Sequence, residues 1–117
     1  MKRYFVNNDE LYEDILDFKR TNIISEQLHM SFWNMCNNII NRPRFVRYTE
    51  EWKEDMITTA YIKCLKVVKK FKLSKKMPFS YFTTVITNCF IDHVKSENKQ
   101  KQIKDKILDK HNIKKIY

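Results

Sequence analysis

Apolar residues recur at three- and four-residue steps through most of this chain, the repeat of amphipathic helices rather than the alternation of strands. Asn8 can cap a first helix through ELYEDILDFKR, with Asp9 and Glu10 facing the positive end of the helix dipole and Leu11, Ile15 and Phe18 on one face. The polar stretch Arg20 to Ile24 reads as a break. A second helix begins near Ser25, carries Leu28, Phe32, Met35, Cys36 and Ile39 on its apolar stripe, and ends before Pro43. Thr49 suits the cap of a third helix, in which Glu50 and Glu51 occupy the first turn and Trp52, Met56, Ala60, Cys64, Val67 and Phe71 repeat at helical spacing. A lysine-rich link, Lys72 to Met77, leads to Pro78. Ser80 can cap a fourth helix, with Thr83, Thr87, Phe90, Ile91 and Val94 as its expected core stripe.

The chain has 117 residues, which suits one domain of modest core. It contains no glycine and only two prolines, so material for tight hairpins, a phosphate-cradling loop or a dinucleotide fingerprint is lacking. The fold class expected is all-α: a compact bundle of about four helices over residues 1–95, followed by a basic extension over 96–117. Residues 95–117 hold eight lysines against three acids, with only Ile103, Ile107 and Ile113 as a thin apolar row. A continuation of the fourth helix and a partly disordered arm both fit that pattern.

Net charge is +9, which favours a polyanion or an acidic protein face as partner. No run reaches the roughly 18 apolar residues of a membrane span, and the N-terminus turns acidic where a signal peptide would be hydrophobic. A soluble intracellular protein with no membrane partner is therefore expected. Cys36, Cys64 and Cys89 are odd in number and widely spaced, which supports neither a disulfide framework nor a zinc knuckle. His29, His93 and His111 lie on different segments with no carboxylate or cysteine at ligand spacing. Nothing in this pattern suggests a catalytic centre, a metal or a cofactor.

The fourth helix carries more large apolar surface than one stripe absorbs: Phe79, Tyr81, Phe82, Val85, Ile86 and Phe90. An outward ring there could stack on an unpaired base while Lys72, Lys75 and Lys76 hold phosphates. Composition and spacing alone nevertheless favour Phe79 and Phe82 as core aromatics of a small bundle.

The segment DMITTAYIKCLKVVKKFKLSKKMPFSYFTTVITNCFIDHVK, Asp55 to Lys95, resembles region 2 of the bacterial sigma factors without a gap. Its pattern there is Asp-Leu-Ile, a helix ending in Lys-Phe-Asp, then Phe-Ser-Thr-Tyr opening a long helix. The upstream strings FVNNDELYEDILDFK and YTEEWKEDMI are similar to the late sigma factors of T-even-type bacteriophages, so the resemblance extends from Tyr4 to about Lys99.

The resemblance implies a minimal phage-type sigma factor, working in the cytoplasm of the bacterial host. It would bind core RNA polymerase through the clamp coiled coil and direct it to an A·T-rich minus-ten-like promoter element. Docking residues would be Glu54, Asp55, Thr58, Thr59, Tyr61 and Leu65, although sigma factors of the primary class carry Gln-Glu where Thr58 and Thr59 stand. On the DNA side, Phe82 would stack on a flipped adenine of the single-stranded non-template strand, with Phe79 near the same pocket. Val85 and Ile86 occupy the places of two wedging tryptophans, so melting should be weaker or confined to A·T-rich sites. Asn88, Cys89 and His93 lie near the face that would approach the duplex, and Asn88 could read a base edge. No segment resembles the family's C-terminal promoter-binding domain, and the ending DKHNIKKIY is basic where the phage relatives end in an acidic-hydrophobic epitope. Promoter affinity is then expected to come either from the tail's lysines contacting phosphates or from a separate co-activator as a further partner. The alternatives are a polymerase-binding inhibitor and a generic basic nucleic-acid-binding protein.

Overall fold

The computed structural model describes residues 6–45, 47–74 and 77–110. They form four helices, α1 (Asn8–Thr21), α2 (Glu26–Ile40), α3 (Glu50–Val68) and α4 (Pro78–Lys110), with no strand among the described residues. The all-α bundle of about four helices is as expected.

Local chemistry sets most of the helix ends. Ser25 Oγ accepts from Leu28 N at 3.1 Å and Thr49 Oγ1 from Trp52 N at 3.3 Å, each satisfying an amide that the first turn leaves orphaned. The first cap is Asn7, not Asn8: its Oδ1 accepts from Asp9 N at 2.8 Å and Glu10 N at 3.3 Å. Asn22 closes α1 in the left-handed region at φ 59°, where asparagine is tolerated better than most residues, and its amide donates to Phe18 O at 2.7 Å.

Asn8 instead serves α4. Phe79 N donates to Asn8 Oδ1 at 3.1 Å, a cap supplied from another helix. With Pro78 at the first helical position, where its missing N–H is no loss, α4 starts before Ser80 and needs no cap from it. Two more bonds fasten α1 to the link. Tyr12 OH donates to Leu73 O at 3.0 Å, and Lys19 Nζ donates to Lys69 O at 2.7 Å, placing a cation on a carbonyl just past the end of α3.

The core is one cluster built on Leu11, Ile15 and Phe18 of α1, Leu28, Phe32, Met35, Cys36 and Ile39 of α2, and Met56, Ala60, Cys64 and Val68 of α3. Trp52, expected on the core stripe of α3, is only half-buried. From α4 the buried row is Phe82, Ile86 and Phe90: Phe90 is as expected, while Phe82 and Ile86 take the interior places expected of Thr83 and Thr87, which flank the row half-buried with Ile91 and Val94. Both faces of YFTTVITNCF are apolar enough to bury, and the larger side chains take the interior.

Beyond the bundle α4 continues, so of the two expectations for the extension the helix holds as far as Lys110. At about 1.5 Å per residue its 33 residues span roughly 50 Å, which accounts for the 59 Å long dimension of the molecule. Residues 111–117, with His111 and Ile113, lie outside the described residues.

Candidate functional site

The outer surface of α3 is the first candidate. Glu54, Asp55, Thr58 and Thr59 are all exposed, and none of their side chains has a hydrogen bond or ion pair among the described residues. By helical spacing Glu54, Thr58, Tyr61 and Leu65 follow one another on the strip nearest α2, while Asp55 and Thr59 share the neighbouring strip. Tyr61 and Leu65 are half-buried and pack against the core. The Tyr61 hydroxyl is hydrogen-bonded to His29 Nδ1, and its ring stands edge-on to Trp33, with centroids 5.6 Å apart. Burial, then the neighbouring Cys36 and Cys64 sulfurs, pushes the Tyr61 hydroxyl above its ordinary pKa. It stays protonated in this setting and acts as a hydrogen-bonding neutral group.

Between this strip and α2 lies a cleft of about 540 Å³, bordered by Trp33, Asn37 and Asn41 on one side and Glu50, Lys53 and Glu54 on the other. None of the α2 residues was expected from sequence to take part in a site. The available signal was that Trp33, a large aromatic, falls beside the Leu28–Phe32–Met35–Ile39 stripe rather than on it.

The nucleic-acid candidates on α4 divide sharply. Phe82 is 0% exposed, its ring packed on Phe32 at 4.8 Å, Tyr81 at 5.3 Å and Phe71 at 5.6 Å. Stacking on a base needs a free π-face, and this ring has none, so the assignment of Phe82 as the base-capturing aromatic is corrected: it is a core residue. Ile86 is corrected on the same ground, since it is fully buried one turn further along and cannot wedge into a base step. Phe79, by contrast, is 37% exposed at the start of α4, two positions after exposed Met77, and Lys72 of the link is also exposed. Lys75 and Lys76 lie outside the described residues.

Val85, Cys89 and His93, at four-residue steps, run along a half-buried strip of α4, with Asn88 exposed beside it. His93 is edge-on to Trp52 at 6.0 Å, and Trp52 stacks on Tyr48 at 5.4 Å. Exposed Arg47 lies 5.7 Å from the Tyr48 ring, and exposed Arg44 is equally placed over Phe45. This arginine and aromatic group at the α2–α3 loop was not anticipated, although three arginines within the six residues 42–47, followed by Tyr48, were visible in the sequence.

The Cys36 and Cys64 thiols meet between α2 and α3 despite their spacing in the chain. A hydrogen bond with the Cys36 thiol, reinforced by burial, pushes the Cys64 thiol far up, and burial raises Cys89 although Lys63 opposes it. Thiols held protonated are poor nucleophiles and poor metal ligands. Among the described residues no group of three or more His, Cys, Asp or Glu is placed to hold a metal, and no helix is long and apolar enough to cross a membrane.

The chain matches no protein-family model and no curated protein.

Proposed function

We propose that this chain is a minimal phage-type sigma factor, which binds core RNA polymerase through the clamp coiled coil and directs it to an A·T-rich minus-ten-like promoter element in the cytoplasm of the bacterial host. The observation that carries this reading is the face of α3. Four polar or acidic side chains, Glu54, Asp55, Thr58 and Thr59, stand exposed and unpaired in the motif that resembles sigma region 2. Exposed carboxylates of this kind set register and encounter rate with a basic partner.

In this reading DNA meets Phe79, Val85, Asn88, Cys89 and His93, with Lys72 and the lysines of the α4 extension on phosphates. Phe79 rather than Phe82 supplies the stacking surface. Further promoter affinity comes from the lysines of the α4 extension or from a separate co-activator.

Promoter-dependent run-off transcription with core polymerase tests the whole proposal, the expected result being a specific transcript from the source genome's DNA. Asp55→Ala should weaken polymerase binding, and an unchanged affinity would move the docking surface elsewhere.

A second reading is favoured by the burial of Phe82. A protein that keeps the docking helix but has closed its base pocket would bind polymerase without opening DNA. It would act as an inhibitor and give no specific transcript in the same assay.

A further inference from the structure

The cleft between α2 and α3 has an unusual chemical lining. Asn37 Nδ2 donates to Trp33 O at 2.8 Å and Asn41 Nδ2 donates to Asn37 O at 2.9 Å, so each amide spends one of its two N–H groups on its own helix. Each asparagine keeps its carbonyl oxygen as an acceptor, beside one remaining N–H. Glu50 and Glu54 add carboxylates, and the Glu50 side chain is 87% exposed. Lys53, the one cation in this lining, is drawn inward to 11% side-chain exposure, with Nζ 3.5 Å from Glu50 Oε1. Trp33, 38% exposed, forms an aromatic wall.

The group that fits acceptors set beside an indole is a planar cation carrying donors only. Guanidinium has five N–H donors, no acceptor, and a flat face that stacks on tryptophan. Charge complementarity points the same way. In a chain of net charge +9, the first turns of α3 concentrate Glu50, Glu51, Glu54 and Asp55 against Lys53 alone.

We propose that this cleft is a socket for an arginine side chain of the partner protein, with Trp33 stacking on the guanidinium and Glu54, Asn37 and Asn41 accepting from it. The inference rests on the reading that α3 docks a protein, and it extends that surface onto α2.

Two measurements on the full chain test it. In the first, ethylguanidinium and ethylammonium chlorides are titrated at constant ionic strength while the two indole N–H signals are followed by NMR. Trp52, on the α4 side, is the internal control. A saturable shift of the Trp33 signal with ethylguanidinium, several-fold smaller with ethylammonium and absent at Trp52, supports the socket. Equal or absent shifts overturn it.

In the second, affinity for core RNA polymerase is compared among the parent, Trp33→Leu and Glu54→Gln. Losses of tenfold or more in both variants are expected. Glu54→Gln alters an exposed side chain and so guards against a folding defect in Trp33→Leu. If the parent binds and both variants bind equally well, the socket is overturned while the docking reading stands. If the parent fails to bind, the polymerase reading falls and the titration alone decides the socket.

Discussion

Replacing Phe82 by tyrosine adds one oxygen at the ring position that distinguishes a core residue from a surface stacker. The ring is fully buried among Phe32, Phe71 and Tyr81, so the new hydroxyl would have to enter a packed aromatic cluster in which no polar partner is already arranged for it. A buried hydroxyl without a partner costs about 1–3 kcal/mol. At roughly 4 °C per kcal/mol for a domain of this size, the unfolding midpoint should fall by about 4–12 °C. Phe82→Ala should do more. Losing about 150–200 Å² of buried aromatic surface at ~25 cal/mol per Å² gives roughly 4–5 kcal/mol, inside the usual range for Phe→Ala in a core. That is about a quarter or more of the roughly 5–15 kcal/mol that holds a domain together. Thermal melts followed by circular dichroism at 222 nm, with urea titrations as a second probe, read both variants. A ring on the surface would tolerate either change within about 0.5 kcal/mol. A Phe82→Tyr midpoint within 1 °C of the parent would therefore refute the sealed-core assignment.

Three further outcomes follow from particular contacts. Asn8→Ala removes the cap that α1 lends to α4 and should cost about 1 kcal/mol, with faster amide exchange at Phe79; unchanged exchange there would show the cap to be inert. Asp14 is pushed above its ordinary pKa by burial, then by Asp17, Glu10 and Glu13, so its folded form favours the proton. Relief from that crowding is complete below the unfolded carboxylate value and is lost as pH rises through the raised folded one. Asp14→Asn should accordingly melt higher than the parent at pH 7, by about 0.5 kcal/mol from like-charge neighbours on one helix, and show no advantage at pH 3. Thr83 Oγ1 is buried without a hydrogen-bond partner among the described residues, so the nearly isosteric Thr83→Val should stabilise by about 1 kcal/mol; a lower midpoint in that variant would mean the hydroxyl is bonded.

The helices and their order were legible because their determinants are local. Ser25 and Thr49 cap within three residues of themselves, and the stripes of α1 and α2 bury as their spacing says. Where the reading slipped, the deciding partner was distant. Nothing nearby separates Asn7 from Asn8 as the cap of α1, because what claims Asn8 is an amide 71 positions away. The register of α4 slipped for a related reason. Its first three turns are apolar on two faces, and although Phe90 was legible, the choice of Phe82 and Ile86 over Thr83 and Thr87 for the interior is made from outside the helix, where Phe32 and Phe71 pack on Phe82. The exposed face of α3 could be read because it is what the stripe leaves over. The cleft beside it could not, since its acceptors come from two helices and the way the Asn37 and Asn41 amides turn is set by their bonds to Trp33 O and Asn37 O.

The burial of Phe82 also bears on how such a protein would handle DNA. Drawing the ring out of the core to meet a base gives up about 3–5 kcal/mol of packing. A stacked base returns about 1–3 kcal/mol. Alone, the chain does not make that exchange, and in the sigma reading Phe79 rather than Phe82 is the ring offered to a base. The link that covers Phe82 is held by the Tyr12–Leu73 and Lys19–Lys69 bonds from α1, while the proposed docking residues lie on α3, which leads directly into that link. Opening Phe82 would thus require a partner that binds the open state more tightly by at least the difference between those two energies. In the sigma reading polymerase must supply that preference or leave DNA to Phe79; in the inhibitor reading it supplies none. The two readings differ in one free-energy term, the coupling between docking on α3 and opening of the link beneath α1.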